Sequence, residues 1–106
     1  MQLEWSVFAR ADRVTIFDYI ESDNPSAAVA IDERIGTRIA GLVQFPEMGR
    51  PSRIDGTREL VISGTPYIAA YRIEGETVRI LRTLHGAQQW PGEMPEDLFL
   101  TDEPRS

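Results

Sequence analysis

Hydrophobic residues recur along the chain at two different spacings, and each spacing predicts a type of secondary structure. Residues 2–7, QLEWSV, place an apolar side chain at every second position, which predicts a short, half-buried strand. From Ala9 to Glu21 the apolar residues recur at helical spacing, which predicts a helix. The predicted inward stripe of this helix consists of Ala11, Val14, Ile16, Phe17 and Ile20.

A second helix is predicted by the most regular pattern in the chain. Asn24 is placed to cap this helix, and Pro25 takes its first position, where a missing N–H leaves no hydrogen bond unmade. Phe45 precedes Pro46 and therefore predicts the end of the helix. The apolar stripe covers about 18 residues and contains Ala28, Ile31, Ile35, Ile39 and Leu42.

Three further strands are predicted after a turn-rich stretch at 45–57. They lie at Arg58–Ser63, Tyr67–Ile73 and Thr77–His85, and Gly-containing turn signals separate them. The order β-α-α-β-β-β predicts an α+β fold, in which a helical hairpin covers one face of a mostly antiparallel sheet. Alternation along the last strand assigns Val78, Ile80 and Leu84 to the helix side, and Arg79, Leu81, Thr83 and His85 to the open side. The sequence does not determine the cross-strand register, and it therefore does not determine which arginines face His85.

The composition is typical of one soluble domain, with 106 residues, 42% of them hydrophobic and 26% charged. The chain has no cysteine, which excludes disulfides and thiolate metal sites, and a metal site is not expected from one histidine and scattered carboxylates. No cofactor is predicted. The N-terminus lacks the pattern of a signal peptide, and no apolar run approaches the ~20 residues of a membrane span. We therefore expect a cytoplasmic protein without membrane contacts.

Charge is distributed unevenly around the net value of −6. Acidic ends flank a basic middle, because residues 50–85 carry six arginines against four acidic residues. The chain contains no lysine, and its 11 strongly basic side chains are all arginines. The planar guanidinium of arginine suits the binding of phosphate or carboxylate. On the second helix, Arg34 and Arg38 form a like-charged pair one turn apart. We predict a domain at 1–92 and an acidic tail at 93–106, and one hypothesis is that this tail covers the arginine-bearing face.

Several segments, taken in order, resemble the RelE/ParE superfamily of toxins from bacterial type II toxin–antitoxin operons. They are IFDYIESDNPSAA, FPEMGR, GTRELVI and PYIAAYRIEGETVRILRTLHGAQQWP, which follow a first strand that contains a tryptophan. The resemblance covers about residues 3–91 and implies the same β-α-α-β-β-β fold. It also implies a cognate antitoxin and a toxin–antitoxin hetero-oligomer. The open sheet face and the exposed helical hairpin offer surface for an amphipathic partner segment laid into a groove.

The superfamily divides by target, and each branch implies a different use of the same residues. RelE-like members are ribosome-dependent mRNA endonucleases, and that branch implies a catalytic set of His85, Arg82, Arg72 and Glu59. Such a set would activate the 2′-hydroxyl, stabilise the charged phosphate and protonate the leaving oxygen. ParE-like members poison DNA gyrase through a protein surface, and His85 then has a packing role. For target binding we single out Arg58, Tyr67, Arg79 and Trp90.

Two features favour the ParE-like branch. A net charge of −6 without lysine suits a ribosome-binding protein poorly, because a positive field assists binding to RNA. In addition, Tyr67 stands where nucleases of this type tend to show an arginine. The sequence therefore predicts a gyrase poison, with an mRNA endonuclease as the alternative. A non-toxic descendant that only binds its partner is the third possibility.

Overall fold

The computed structural model describes residues 1–52 and 54–86, and the predicted order of elements is confirmed there. The helices are α1 (Val7–Glu21) and α2 (Pro25–Ala40), followed by a short 3₁₀ turn at Gly41–Val43. The strands are β1 (Gln2–Trp5), β2 (Arg50–Pro51), β3 (Arg58–Val61), β4 (Tyr67–Glu74) and β5 (Thr77–His85). The two-residue strand β2 was not predicted, because so short a segment in a turn-rich stretch has no alternation to detect. Trp90 and the tail at 93–106 lie outside the described residues.

Side-chain caps begin both helices. The Ser6 hydroxyl accepts a hydrogen bond from the Ala9 N–H at the start of α1, and the Asn24 side chain accepts one from Ala27 at the start of α2. The predicted stripe of α2 is confirmed, since Ala28, Ile35, Ile39 and Leu42 are buried and Ile31 is half-buried. The α-helical conformation ends at Ala40, five residues before the predicted end at Phe45, and the 3₁₀ turn carries the chain on to Val43.

The predicted inward stripe of α1 is partly wrong. Ala11 is exposed and Val14 keeps 60% of its surface accessible, whereas Ala9 is fully buried and Asp12 is half-buried. The helix is therefore rotated from the orientation that its apolar residues suggest. The reason is a polar contact that Asp12 makes with β5, described below.

All five strands form one sheet in the order β1-β5-β4-β3-β2. The pairs β2–β3, β3–β4 and β4–β5 are antiparallel, and β1 runs parallel to β5. Gly75 closes the hairpin between β4 and β5 with a φ of 59°, in the left-handed region that glycine adopts without strain. The predicted mostly antiparallel sheet is confirmed, and both helices pack on one of its faces.

A β-bulge in β5 reverses the predicted sides of its last residues. Ala70 pairs with Arg82 while the next residue of β4, Tyr71, pairs with Ile80, so Leu81 is an extra residue. Before the bulge, Val78 and Ile80 face the helices as predicted. After it the alternation is shifted by one residue, which moves Leu84 to the outer face and turns His85 to the helix side opposite Tyr67.

The main core lies between the helices and the sheet. Its buried members include Ile35 and Ile39 of α2 together with Leu60, Tyr71 and Ile80 of the sheet. A smaller buried cluster of Ile68, Ala70 and Leu84 occupies the outer face. No helix in the described part of the chain is long and apolar enough to cross a membrane.

Candidate functional site

A cleft of about 430 Å³ lies between α1 and the last residues of β5. It collects three of the residues that the sequence singled out, namely His85, Arg82 and Tyr67. The other lining residues are Asp12, Thr15, Ile16, Tyr19, Thr83 and Leu84. The cleft combines aromatic walls with several polar groups, which is the usual character of a binding site.

Asp12 organises the polar end of this cleft. One carboxylate oxygen accepts hydrogen bonds from Arg82 Nε at 2.6 Å and from the Thr83 N–H at 2.9 Å, and the other accepts from Arg82 Nη2 at 2.9 Å. β1 ends at Trp5, so Asp12 satisfies an amide of β5 that has no neighbouring strand on this side. The hydrogen bond to Asp12 raises the pKa of the Arg82 guanidinium above its usual value and outweighs burial, which lowers it. Arg82 is therefore a charged group held in one position.

Ser6 makes a second connection between α1 and the bulge. Its hydroxyl donates to the Leu81 carbonyl at 2.8 Å while also capping the helix, and its own N–H donates to the Ile80 carbonyl. Ser6 and Asp12 together hold the first half of α1 against β5. These two residues were missed in the sequence, where a helix cap and one acidic residue on a helix look ordinary.

Aromatic rings form the other end of the cleft. The His85 ring meets the Tyr67 ring edge to face, with centroids 5.7 Å apart and planes at 80°. Burial, and then the nearby Tyr19 phenol, raise the pKa of Tyr67 above its usual value. Tyr19 itself is 76% exposed. Tyr67 is therefore a neutral phenol at physiological pH, and it shares the cleft with His85 and the exposed Tyr19.

Thr83, which lines the same cleft, has a buried hydroxyl that is unsatisfied. Its Oγ1 is buried and has no hydrogen-bond partner within the described part of the chain. A buried hydroxyl without a partner is unfavourable by roughly 1–3 kcal/mol.

Arg72 and Arg79 lie at the opposite end of the β4–β5 pair, directly across from each other. Glu74 bridges them, because its carboxylate accepts from Arg79 at 2.9 Å and from Arg72. Glu4 of β1 approaches Arg79 at 3.0 Å, a contact between charges that does not meet hydrogen-bond geometry. The carboxylates thus compensate the two arginines within the chain itself.

The protonation of Glu74 is expected to make stability depend on pH. Burial would raise the pKa of Glu74, but hydrogen bonds from Arg79 and Arg72 outweigh it and lower the pKa below the ordinary 4.5. The stabilisation is therefore full above about pH 4.5 and is lost as the pH falls through the lowered value. We expect Glu74→Gln to lower the free energy of unfolding by about 1–2 kcal/mol at pH 7. Denaturant titrations from pH 7 to pH 3 should show this difference shrinking, and a constant difference would contradict the assignment. The exposed Glu76→Gln is the matched control.

The four residues of the predicted catalytic set do not surround one point. His85 is on the helix side of the sheet, whereas Glu59 pairs across β3–β4 with Ala70 and therefore faces the other side. Glu59 also forms an ion pair with Arg50 at 3.2 Å, and Arg72 shares the outer face. Only His85 and Arg82 line the same cleft.

The predicted target-binding residues are also distributed over the molecule. Tyr67 is in the cleft, and Arg79 is in the charged cluster at the other end of β5. Arg58 donates to the carbonyls of Gly49 and Glu47 in the loop before β2. Within residues 1–52 and 54–86, no group of three metal-ligating side chains could hold a metal ion.

Comparison with known proteins identifies the family. The family model described as "ParE toxin of type II toxin-antitoxin system, parDE" matches residues 3–90. The chain belongs to the ParE toxin family. It is a type II toxin of the RelE/ParE superfamily, and the resemblance seen in its sequence segments is thereby confirmed.

Relatives of the ParE toxin family align over most of the chain. The protein named "Putative toxin Y4kP" from Sinorhizobium fredii is 44% identical over 85% of this chain and 93% of its own. "Toxin RelE2" from Caulobacter vibrioides is 36% identical over 82% and 97%. A solved chain titled "Chromosomal ParDE TA system from P. aeruginosa" matches with a TM-score of 0.74 and 31% identity, over 80% of this chain and 95% of that chain. The fold is therefore that of the ParE toxins.

Proposed function

We propose that this toxin arrests bacterial growth by poisoning DNA gyrase through a protein surface, and that a cognate antitoxin neutralises it in a hetero-oligomeric complex. Support comes from the family, whose description names ParE and parDE. Gyrase poisoning needs surface complementarity and no acid–base pair, so we propose that the protein acts without cofactor or metal. We also propose that it acts in the cytoplasm. We further propose that the toxin domain spans residues 1–92 and that the acidic tail follows it.

The separation of His85 and Glu59 by the sheet carries this proposal. Cleavage of RNA requires a base, an acid and a phosphate-binding cation within hydrogen-bond reach of one phosphodiester. His85 and Glu59 lie on opposite faces, so they cannot meet the same substrate atom. Arg82 is held by Asp12, and Arg72 by Glu74. A surface role for His85 and Glu59 agrees with that arrangement better than catalysis by the two together does.

For target contact we propose the cleft between α1 and β5. His85 and the exposed Tyr19 offer aromatic surface there, and Tyr67 is buried against His85. Aromatic side chains at the centre of a contact commonly supply much of the binding energy. Arg58, Arg79 and Trp90 remain candidates for contacts outside the cleft.

An mRNA endonuclease is the second candidate function. It is favoured by the name of the Caulobacter relative, "Toxin RelE2", and by the presence of His85 and Arg82 in one cleft. Asp12 rather than Glu59 is then the carboxylate that shares a cleft with these two residues.

His85→Ala separates the two functions. For a gyrase poison we expect the purified protein to inhibit supercoiling by gyrase, and the variant to retain inhibition within about tenfold, because the rest of the cleft, Tyr19 included, is unchanged. For an endonuclease we expect cleavage of ribosome-bound mRNA, and a loss of about 10²–10⁴-fold in the variant. Both readouts are made on the same preparations, and thermal unfolding checks that the variant is folded.

Glu59→Gln is the matched control on the outer face. Supercoiling that is unaffected at every toxin concentration, together with mRNA cleavage that depends on His85, would replace the first proposal by the second. Normal growth during expression, without either activity, would leave only a protein that binds its partner.

A further inference from the structure

Within residues 1–52 and 54–86, no carboxylate lies within salt-bridge distance of Arg34 or Arg38 of α2, although Glu33 lines the same cleft as these arginines. Arg34 Nη1 donates to the Ser63 carbonyl at 3.4 Å, and Arg38 Nε donates to the Val61 carbonyl at 3.2 Å. Arg38 Nη1 also contacts the Met48 sulfur at 3.0 Å. All three acceptors are neutral. The two guanidinium groups therefore keep most of their capacity to bind an anion.

These arginines lie along an open edge of the sheet. β2 pairs only with Arg58 and Glu59, so β3 has no neighbouring strand beyond that point on its outer side. The Ile62 N–H donates inward to Tyr67 of β4, which turns the backbone groups of Val61 and Ser63 outward. The carbonyls of Val61 and Ser63 accept from the arginines. Their N–H groups donate to no acceptor in residues 1–52 and 54–86.

A cleft of about 490 Å³ runs between this edge and α2. It is lined by Ala30, Glu33, Arg34, Thr37, Arg38 and Ser63. Val61, on the edge itself, is 46% exposed. The edge, its two donors and the two arginines thus form one continuous surface that is open to solvent.

We propose that this edge binds an extended, acidic segment of the antitoxin, and the identity of that partner rests on the proposed function. The segment adds as a short strand beside Val61–Ser63, with its carbonyls accepting from the two free N–H groups. Its N–H groups replace the arginines on the Val61 and Ser63 carbonyls. Arg34 and Arg38 then pair with carboxylates of the segment.

Charge selects the occupant. An unpaired strand edge is a template for unwanted association, and charged side chains laid across it are a common protection. Here the protecting charges are both positive, so a neutral or basic strand would displace them without compensation. An acidic strand supplies the missing partners, and this difference gives specificity.

The test measures binding of the full-length cognate antitoxin. We expect Arg34→Gln and Arg38→Gln each to weaken binding about three- to tenfold and to reduce its salt dependence. Arg10→Gln, an exposed arginine on α1, is the matched control and should change binding by less than twofold. Hydrogen exchange of the complex should slow at the Val61 and Ser63 amides and stay unchanged at Gly75.

Unchanged affinity in both variants, with unchanged exchange at Val61 and Ser63, would overturn the proposal while leaving gyrase inhibition unaffected. Slow exchange of both amides already in the free chain, abolished when the acidic residues after Pro91 are replaced by their amides, would assign the edge to the chain's own tail and also overturn it. A toxin without effect on gyrase that still shows the protected edge and weakened variants would refute the gyrase proposal alone.

Discussion

Gly49→Ala is expected to lower the free energy of unfolding by about 3 kcal/mol or more, because the new methyl group has no space. A Cβ at Gly49 would lie 2.6 Å from the Tyr71 hydroxyl oxygen, 2.7 Å from Tyr71 Cε1 and 2.8 Å from the Glu59 carbonyl oxygen. Two of these atoms belong to a fully buried ring and the third to the backbone of a strand. None of them can move without disturbing the core.

The same substitution breaks a hydrogen-bonded connection. The Tyr71 hydroxyl accepts from the Gly49 N–H at 2.9 Å and donates to the Pro46 carbonyl at 2.7 Å. It thereby fastens the loop after α2 to the centre of the sheet. Displacing the ring leaves these buried groups unpaired, and each is expected to add about 1–3 kcal/mol.

Denaturant titration measures the effect of Gly49→Ala, and Gly41→Ala is the control. Gly41 has helical backbone angles, and a Cβ there meets only the end of the flexible Met48 side chain at 3.6 Å. We expect Gly41→Ala to be neutral or to stabilise the protein by up to about 1 kcal/mol. Stability of Gly49→Ala within about 0.5 kcal/mol of the unsubstituted protein would show that the loop is not held as described.

The elements that the sequence predicts well are those with a regular apolar pattern. Every inward position in the stripe of α2 from Ala28 to Leu42 is apolar, and the cap residue Asn24 with Pro25 marks the beginning of the helix. Element order then follows from the turn signals between the strands. These local features suffice for the fold class.

The site was less predictable because two local irregularities control it. The extra residue Leu81 turns His85 to the helix side and moves Leu84 to the outer face. Asp12 occupies an inward position on α1 because β1 ends early and the Thr83 amide needs an acceptor. The contacts of Asp12 join residues about 70 positions apart, and the bulge is a shift in pairing between two strands; the apolar spacing along the sequence encodes neither.

Arg82 illustrates the same limit. Its sequence position among apolar residues of β5 gives no indication of a partner, and its pairing with Ala70 puts its backbone beside the outer cluster. The guanidinium nevertheless reaches Asp12 on α1. Knowledge of the bulge is needed before this contact can be anticipated.

Asp12→Ala is expected to lower the free energy of unfolding by about 2–3 kcal/mol. The substitution removes the acceptor of three hydrogen bonds, and leaves the Thr83 N–H and the Arg82 charge without their partner. The side chains of Arg82 and Asp12 are 28% and 16% exposed, so water compensates part of the loss and the upper range for buried ion pairs does not apply. Asp32→Ala, which breaks the more exposed pair with Arg13, is expected to have about half the effect.

A double-mutant cycle with Arg82→Gln isolates the contact between Asp12 and Arg82. We expect a coupling free energy of about 1–2 kcal/mol, which is smaller than the full effect of Asp12→Ala. The difference arises because Asp12→Ala also removes the acceptor of the Thr83 N–H, whereas Arg82→Gln leaves that hydrogen bond in place. Additive effects of the two substitutions would refute the coupling.

The same variants also test the cleft, since Arg82→Gln keeps α1 held to β5 through Asp12 and Thr83, whereas Asp12→Ala releases it. If the cleft between α1 and β5 contacts the target, gyrase inhibition should fall further in Asp12→Ala than in Arg82→Gln at equal folded concentration. Equal inhibition by both variants would place the target contact elsewhere on the toxin.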